Sequence, residues 1–210
     1  MNSRTTPPGP PAAVAGRSEA PLLNIANALT VVRLVLVPVF IWLMLRSGDA
    51  VRLAAALVFA LAAATDRLDG QLARSRNLVT SFGKIADPIA DKALTLSAFV
   101  LLSVAGRLWW WVTVLIIVRE LGITLMRFVM LRRAVMAASR GGKLKTALQV
   151  TGIFGLLVPW AVFVPPAPAT ALDLAAYALV GSALVVTLVT GADYVLKALR
   201  LSRADPGGRP

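Results

Sequence analysis

The chain has 210 residues, 58% of them hydrophobic and 15% charged, with a mean hydropathy of +0.76; that is more apolar surface than one small soluble core hides, and far too much for a disordered chain. With no Cys, no His and no glycine period, disulfide scaffolds, zinc fingers and collagen-like folds are excluded. The net charge of +12 is 22 Lys and Arg against 10 Asp and Glu, and most of the bases sit in short gaps between apolar runs, which argues for no nucleic-acid partner and for an all-α integral membrane protein with a basic water-facing surface.

Residues 1–20, with Pro7, Pro8, Pro10 and Pro11 among Ser, Thr, Gly and Ala, read as a disordered N-terminal tail. No charged start leads into an apolar run, as a cleavable signal peptide requires. From Pro21 to Thr30 the mixture of apolar residues with Asn24, Asn27 and Thr30 suits a short interfacial helix. Six apolar segments follow, at about 29–46, 51–66, 83–106, 108–131, 146–165 and 170–197, and predict six transmembrane helices within one domain, 21–200, ahead of a C-terminal tail, 201–210. Several are shorter than the roughly 20 apolar residues a lone span needs, so these helices are expected to continue past the membrane face as polar extensions. Pro159, Pro165, Pro166 and Pro168 read as turn punctuation around the fifth gap.

Orientation follows from the bases. Fifteen Lys and Arg fall in the N-terminal segment and the gaps on its side of the membrane, against three, Arg46, Arg52 and Arg107, in the opposite gaps. The positive-inside rule then places both termini in the cytoplasm.

Of only ten acidic residues, four fall within 26 positions at the ends of two apolar segments: Asp66, Asp69, Asp87 and Asp91. The first two are three apart and the last two four apart, so each pair projects from one face of its helix. Four carboxylates facing one another across adjacent helices cannot all stay ionised unaided. Divalent cations resolve the conflict, and an all-oxygen donor set points to Mg²⁺ or Mn²⁺ rather than zinc. Gly70, Ala73 and Gly83 give the acids bare surroundings, which leave room for a substrate or for close helix contact. Arg74 stands where it can meet a phosphate, and Pro88, lacking an amide hydrogen, is expected to loosen the helix beside Asp87.

The run DRLDGQLARSRNLVTSFGKIADPIAD, Asp66 to Asp91, resembles the signature of the CDP-alcohol phosphotransferase family, D-x2-D-G-x2-A-R-x8-G-x3-D-x3-D, with all eight defining positions present. The resemblance extends over about residues 22–200 and implies a six-span bundle with a cytoplasmic site, in which an alcohol hydroxyl displaces CMP from a CDP-linked lipid. It implies two divalent cations bound by Asp66, Asp69, Asp87 and Asp91, with Asp91 also the general base. Asn27, Thr30, Gly70, Ala73, Arg74, Thr80 and Gly83 would bind the CDP-lipid. A homodimer in a bacterial plasma membrane is implied as well.

Three further stretches, NIANALTVVR (Asn24 to Arg33), DPIADK (Asp87 to Lys92), and RELGITLMR (Arg119 to Arg127) followed by GKLKT (Gly142 to Thr146), resemble the branch that uses CDP-diacylglycerol as donor and sn-glycerol 3-phosphate as acceptor. An anionic acceptor needs fixed cations, and Arg33, Lys92, Arg119, Arg127, Lys143 and Lys145 are the candidates. Lys143 and Lys145 also suit ordinary loop charges, and Arg33 a snorkelling side chain. Arg119 and Arg127 lie within apolar sequence, where Glu120 is available to partner one of them. Arg67 and Leu68 stand where the synthases of this branch often carry an aromatic. A CDP-dependent cardiolipin synthase, with phosphatidylglycerol as acceptor, and a phosphatidylinositol-phosphate synthase share every catalytic position. A small ion transporter is the alternative of a different class, but it would spread its acids through the bilayer depth or show an internal repeat. Asp173 and Asp193 read as interface or loop carboxylates outside the site.

Overall fold

Proline and glycine set the bounds of the helices into which the apolar runs fold. The computed structural model describes residues 25–75, 81–130 and 140–204. Among these the order is α1 (Ile25–Met44), α2 (Asp49–Ser75), α3 (Ser81–Val104), α4 (Trp110–Met130), α5 (Arg140–Leu157), a 3-10 turn (Trp160–Val162) and α6 (Pro166–Ala204), with no strand among the described residues. Gly48 (φ +116°) and Gly106 (φ +68°) make the α1–α2 and α3–α4 turns in a backbone region that side chains with a Cβ disfavour. Pro166 opens α6 at a first-turn position, where its missing N–H costs no helical bond.

Three boundaries differ from those the sequence suggests. Residues 25–30 belong to α1 itself and run on without a break, so they form no separate interfacial helix; 21–24 lie outside the described residues, as does the 1–20 tail. The fifth apolar segment stops being α-helical at Leu157, because Pro159 cannot continue it and the chain turns through Trp160–Val162. Leu201–Ala204 are the last turn of α6, within the stretch read as a tail, and 205–210 lie outside the described residues. The expected polar extension is present in α2, which continues nine residues past Asp66 to Ser75. α3 runs unbroken through Pro88.

The buried core draws on all six helices. Phe40 and Phe59 pack with ring centroids 5.7 Å apart, surrounded by the buried Ala55, Ala56, Ala62, Ala98 and Phe99. α1 packs chiefly on α2 and then α3, while α5 packs on α6. The α5–α6 contact depends on glycine. A Cβ on Gly155 would stand 2.7 Å from Ala176 Cβ, and one on Gly152 only 3.0 Å from the backbone nitrogen of Val180. Small residues are what allow membrane helices to approach this closely.

The end remote from the signature aspartates has its own polar lock. Arg107 Nη2 donates to Asp173 Oδ1 at 2.8 Å and to the carbonyl of Leu156 at 3.3 Å, and Tyr177 Oη donates to the carbonyl of Arg107 at 2.7 Å. Asp173 is therefore a structural partner on α6. Arg46 lies 4.8 Å from the ring centre of Trp42, so two of the three bases on this side are held by the fold.

The outward faces are as apolar as the inward ones. Trp110, Trp111, Val114, Val118, Leu121 and Leu125 of α4 are all exposed, a surface that water does not favour. Two stretches among the described residues, Asn27–Met44 and Pro166–Ala192, are long and apolar enough to cross a membrane.

Candidate active site

α1 turns one stripe inward: Asn27, Thr30, Arg33, Val37 and Phe40, all buried, at spacings of three or four. Its N-terminal half is polar. Arg33 has no exposed side-chain surface, and a guanidinium so placed needs a charged partner to offset its lost hydration. Asp66 of α2 supplies it, with Oδ1 2.7 Å from Arg33 Nη1, while the Asp66 side chain remains 36% exposed. One side of that carboxylate is fixed and the rest stays accessible. Asn27 and Thr30, expected to contact the CDP-lipid, sit two turns and one turn before Arg33 and are engaged in the same buried region.

Residues 76–80 join α2 to α3, and these two helices pack on each other. The connected ends carry the signature. Asp91 is half-buried on α3, and its carbonyl accepts from Thr95 Oγ1 at 2.9 Å, so Thr95 is satisfied within the helix. Asp69, Gly70, Ala73 and Arg74 lie on α2, and Gly83 and Asp87 on α3; their side chains fall outside the described residues, and Thr80 falls outside them altogether. Among the described residues no three acids form a cation-binding group.

A second charged centre forms around Glu120 of α4. Its nearly buried carboxylate accepts from Lys92 of α3 at Oε2 and from Lys145 of α5 at Oε1. Arg119 Nη1 also donates to Oε1, at 2.9 Å. Arg119 is anchored from α6 as well: Nε donates to the carbonyl of Thr187 at 2.9 Å and Nη2 to Thr190 Oγ1 at 2.7 Å. Gly191 leaves the space, since a Cβ there would stand 3.2 Å from Arg119 Cγ and 3.3 Å from Nε. Three cations against one carboxylate leave the centre with a net charge of +2.

Of the six cations expected to bind the acceptor phosphate, the structure thus brings Lys92, Arg119 and Lys145 together and pairs Arg33 with a different carboxylate. Lys145 is buried rather than a loop charge. Arg127 and Lys143 lie on α4 and α5, their side chains outside the described residues. Sequence reasoning offered Glu120 as a partner for one arginine, not as the meeting point of three helices. It missed Thr187, Thr190 and Gly191. Their sequence signal is a turn of small and hydroxylated residues in an otherwise apolar helix, directly opposite no charge that the sequence alone could identify.

A groove of about 460 Å³ opens between α2 and α5, lined by Ala60, Ala63, Ala64 and Arg67 on one side and Thr151 and Phe154 on the other. Its walls are mostly apolar, with Arg67 the charged residue among them.

A sequence profile of CDP-alcohol phosphatidyltransferases matches residues 23–192. The chain is 47% identical over 198 residues to a Mycobacterium tuberculosis protein named "Probable phosphatidylglycerophosphate synthase", a match covering 93% of this chain and 88% of that one. It is 37% identical over 150 residues to a Bacillus subtilis protein (65% of this chain, 78% of the relative) and 39% identical over 140 residues to one from Escherichia coli (64% and 76%). Both are named CDP-diacylglycerol--glycerol-3-phosphate 3-phosphatidyltransferase.

Proposed function

The chain belongs to the CDP-alcohol phosphatidyltransferase family, and on that premise we propose that it transfers the phosphatidyl group of CDP-diacylglycerol to sn-glycerol 3-phosphate, releasing CMP and forming phosphatidylglycerol phosphate. The names of its relatives support the reaction. The observation that carries the choice of acceptor is the adjacency of Asp91 and Lys92: the cationic centre around Glu120 begins one residue after the carboxylate assigned as base. An acceptor with both a hydroxyl and a phosphate suits that adjacency.

Asp66, Asp69, Asp87 and Asp91 would hold two divalent cations, Mg²⁺ or Mn²⁺. The donor set is all oxygen and turn-spaced on two packed helices, and Asp66 combines a fixed orientation with an accessible carboxylate, which fits a hard ion. Ions bound there would offset the pyrophosphate charge and polarise the phosphorus under attack. The acceptor's hydroxyl oxygen bonds to the phosphatidyl phosphorus as the bond from that phosphorus to the CMP oxygen breaks, and the hydroxyl proton passes to Asp91. Arg33 keeps Asp66 oriented. Asn27, Thr30, Gly70, Ala73, Arg74, Thr80 and Gly83 contact the CDP-lipid, and the apolar groove beside Arg67 suits one of its acyl chains.

The same reading makes the six helices membrane spans, supported by their apolar outward faces, with both termini and the site cytoplasmic by the distribution of Lys and Arg. It includes a homodimer in a bacterial plasma membrane, as the family resemblance implies.

Purified protein given CDP-diacylglycerol, Mg²⁺ or Mn²⁺, and glycerol 3-phosphate, inositol phosphate or phosphatidylglycerol in turn should release CMP with glycerol 3-phosphate alone. Release only with inositol phosphate or phosphatidylglycerol would move the chain to one of the sister activities. No release with any acceptor would return the transporter to the front.

A further inference from the structure

An acceptor phosphate would account for this cluster of cations, but not for a buried carboxylate at its centre, which by itself repels a phosphate. Glu120 therefore needs its own explanation. Its side chain is only 5% exposed, and both oxygens are taken by bases from three different helices. Lys92, Arg119 and Lys145 carry like charges on α3, α4 and α5, and without a shared anion they would repel one another and splay. Each ammonium gives Glu120 one of its three N–H donors, and Lys92 remains 29% exposed. Arg119 is braced on its far side by Thr187 and Thr190, so its guanidinium cannot swing away.

We propose that Glu120 is a positioning residue for the acceptor's phosphate, gathering Lys92, Arg119 and Lys145 into one cationic fork whose net charge of +2 matches a phosphate monoester dianion. This rests on the reading of the chain as a glycerol 3-phosphate transferase. It adds that recognition of the acceptor is assembled by an anion of the protein itself. A loose set of bases would adapt to any anionic headgroup, whereas three bases held in one fixed geometry by an internal carboxylate favour a compact phosphate dianion over a bulkier phosphodiester, which carries a single negative charge.

The test is steady-state CMP release by full-length wild-type protein, E120Q and E120D in lipid nanodiscs with CDP-diacylglycerol and Mn²⁺. In E120Q the KM for glycerol 3-phosphate should rise about 20-fold with kcat changed less than about threefold and the KM for CDP-diacylglycerol unmoved, a loss of binding shared by ground and transition states. The Ki of inorganic phosphate as a competitor of glycerol 3-phosphate should rise in parallel. E120D, which keeps the charge on a shorter arm, should fall between the two. A KM for glycerol 3-phosphate within about twofold of wild type, or a loss spread equally over kcat and both substrates, overturns the proposal, because a packing role produces the latter pattern. If E120Q does not fold, E120D decides: a several-fold rise confined to the acceptor KM supports the proposal, and an unchanged KM overturns it. Wild-type protein that releases no CMP with glycerol 3-phosphate overturns the functional reading and this proposal together; an active wild type with an unmoved variant overturns the proposal alone.

Discussion

Arg33, wholly buried on α1, holds Asp66 of α2 through a 2.7 Å contact from Nη1 to Oδ1, so the first aspartate of the signature takes its orientation from a helix outside the signature. Arg33→Met should lower CMP release by about 100-fold, since the carboxylate loses the group that fixes it. Arg33→Lys keeps the charge without the planar fork and should lose about tenfold. The accompanying loss of stability should be about 2 kcal/mol, less than for a fully buried pair because Asp66 remains partly exposed. Chemical denaturation alongside the assay separates the two effects.

Asp91→Asn should reduce turnover by about 10³-fold while CDP-diacylglycerol still binds, because the amide cannot accept the hydroxyl proton. Binding of the CDP-lipid to the purified variant, measured beside CMP release, checks this. Near-normal turnover would show that Asp91 is not the base.

Gly191→Val places a branched side chain where a single Cβ already stands 3.2 Å from Arg119 Cγ. The guanidinium must then leave Thr187 and Thr190. The KM for glycerol 3-phosphate should rise about fivefold, with Gly191→Ala intermediate and the donor KM unaffected.

Asp173→Asn weakens the lock to Arg107 at the remote end and should cost about 1 kcal/mol of stability, as expected of a partly exposed ion pair. kcat and both KM values should stay within error of wild type. A selective rise in either KM would mean that this end of the bundle communicates with the site.

The fold was legible because its rules are local. Apolar runs became helices, and the four helix ends that flank Gly48 and Gly106 fall within two residues of the expected bounds. The errors arose where local signals compete: Asn24, Asn27 and Thr30 look like interfacial residues until the fold shows Asn27 and Thr30 buried in the polar end of α1. The placement of the signature aspartates on two packed helices could be read because their spacing matches a helical turn on each. The Glu120 centre could be read only in part. Lys92, Arg119 and Lys145 come from three helices, and no periodicity in one helix reports the angle at which another crosses it. The Thr187 carbonyl and the Thr190 hydroxyl that brace Arg119, and the glycine that makes room for it, lie about 70 positions away.

The inward stripe of α1 joins chemistry and packing in one rigid rod. Arg33 and Phe40 lie seven residues apart, about 10 Å along the axis, one against Asp66 and the other against Phe59. Such a rod transmits torsion. A cavity left by Phe40→Ala would loosen the contact that fixes the rotation of α1, and even a small rotation shifts the guanidinium against its carboxylate. The aromatic seat therefore sets the rotational phase of a charge two turns away, as the teeth of a key set the angle of its shaft.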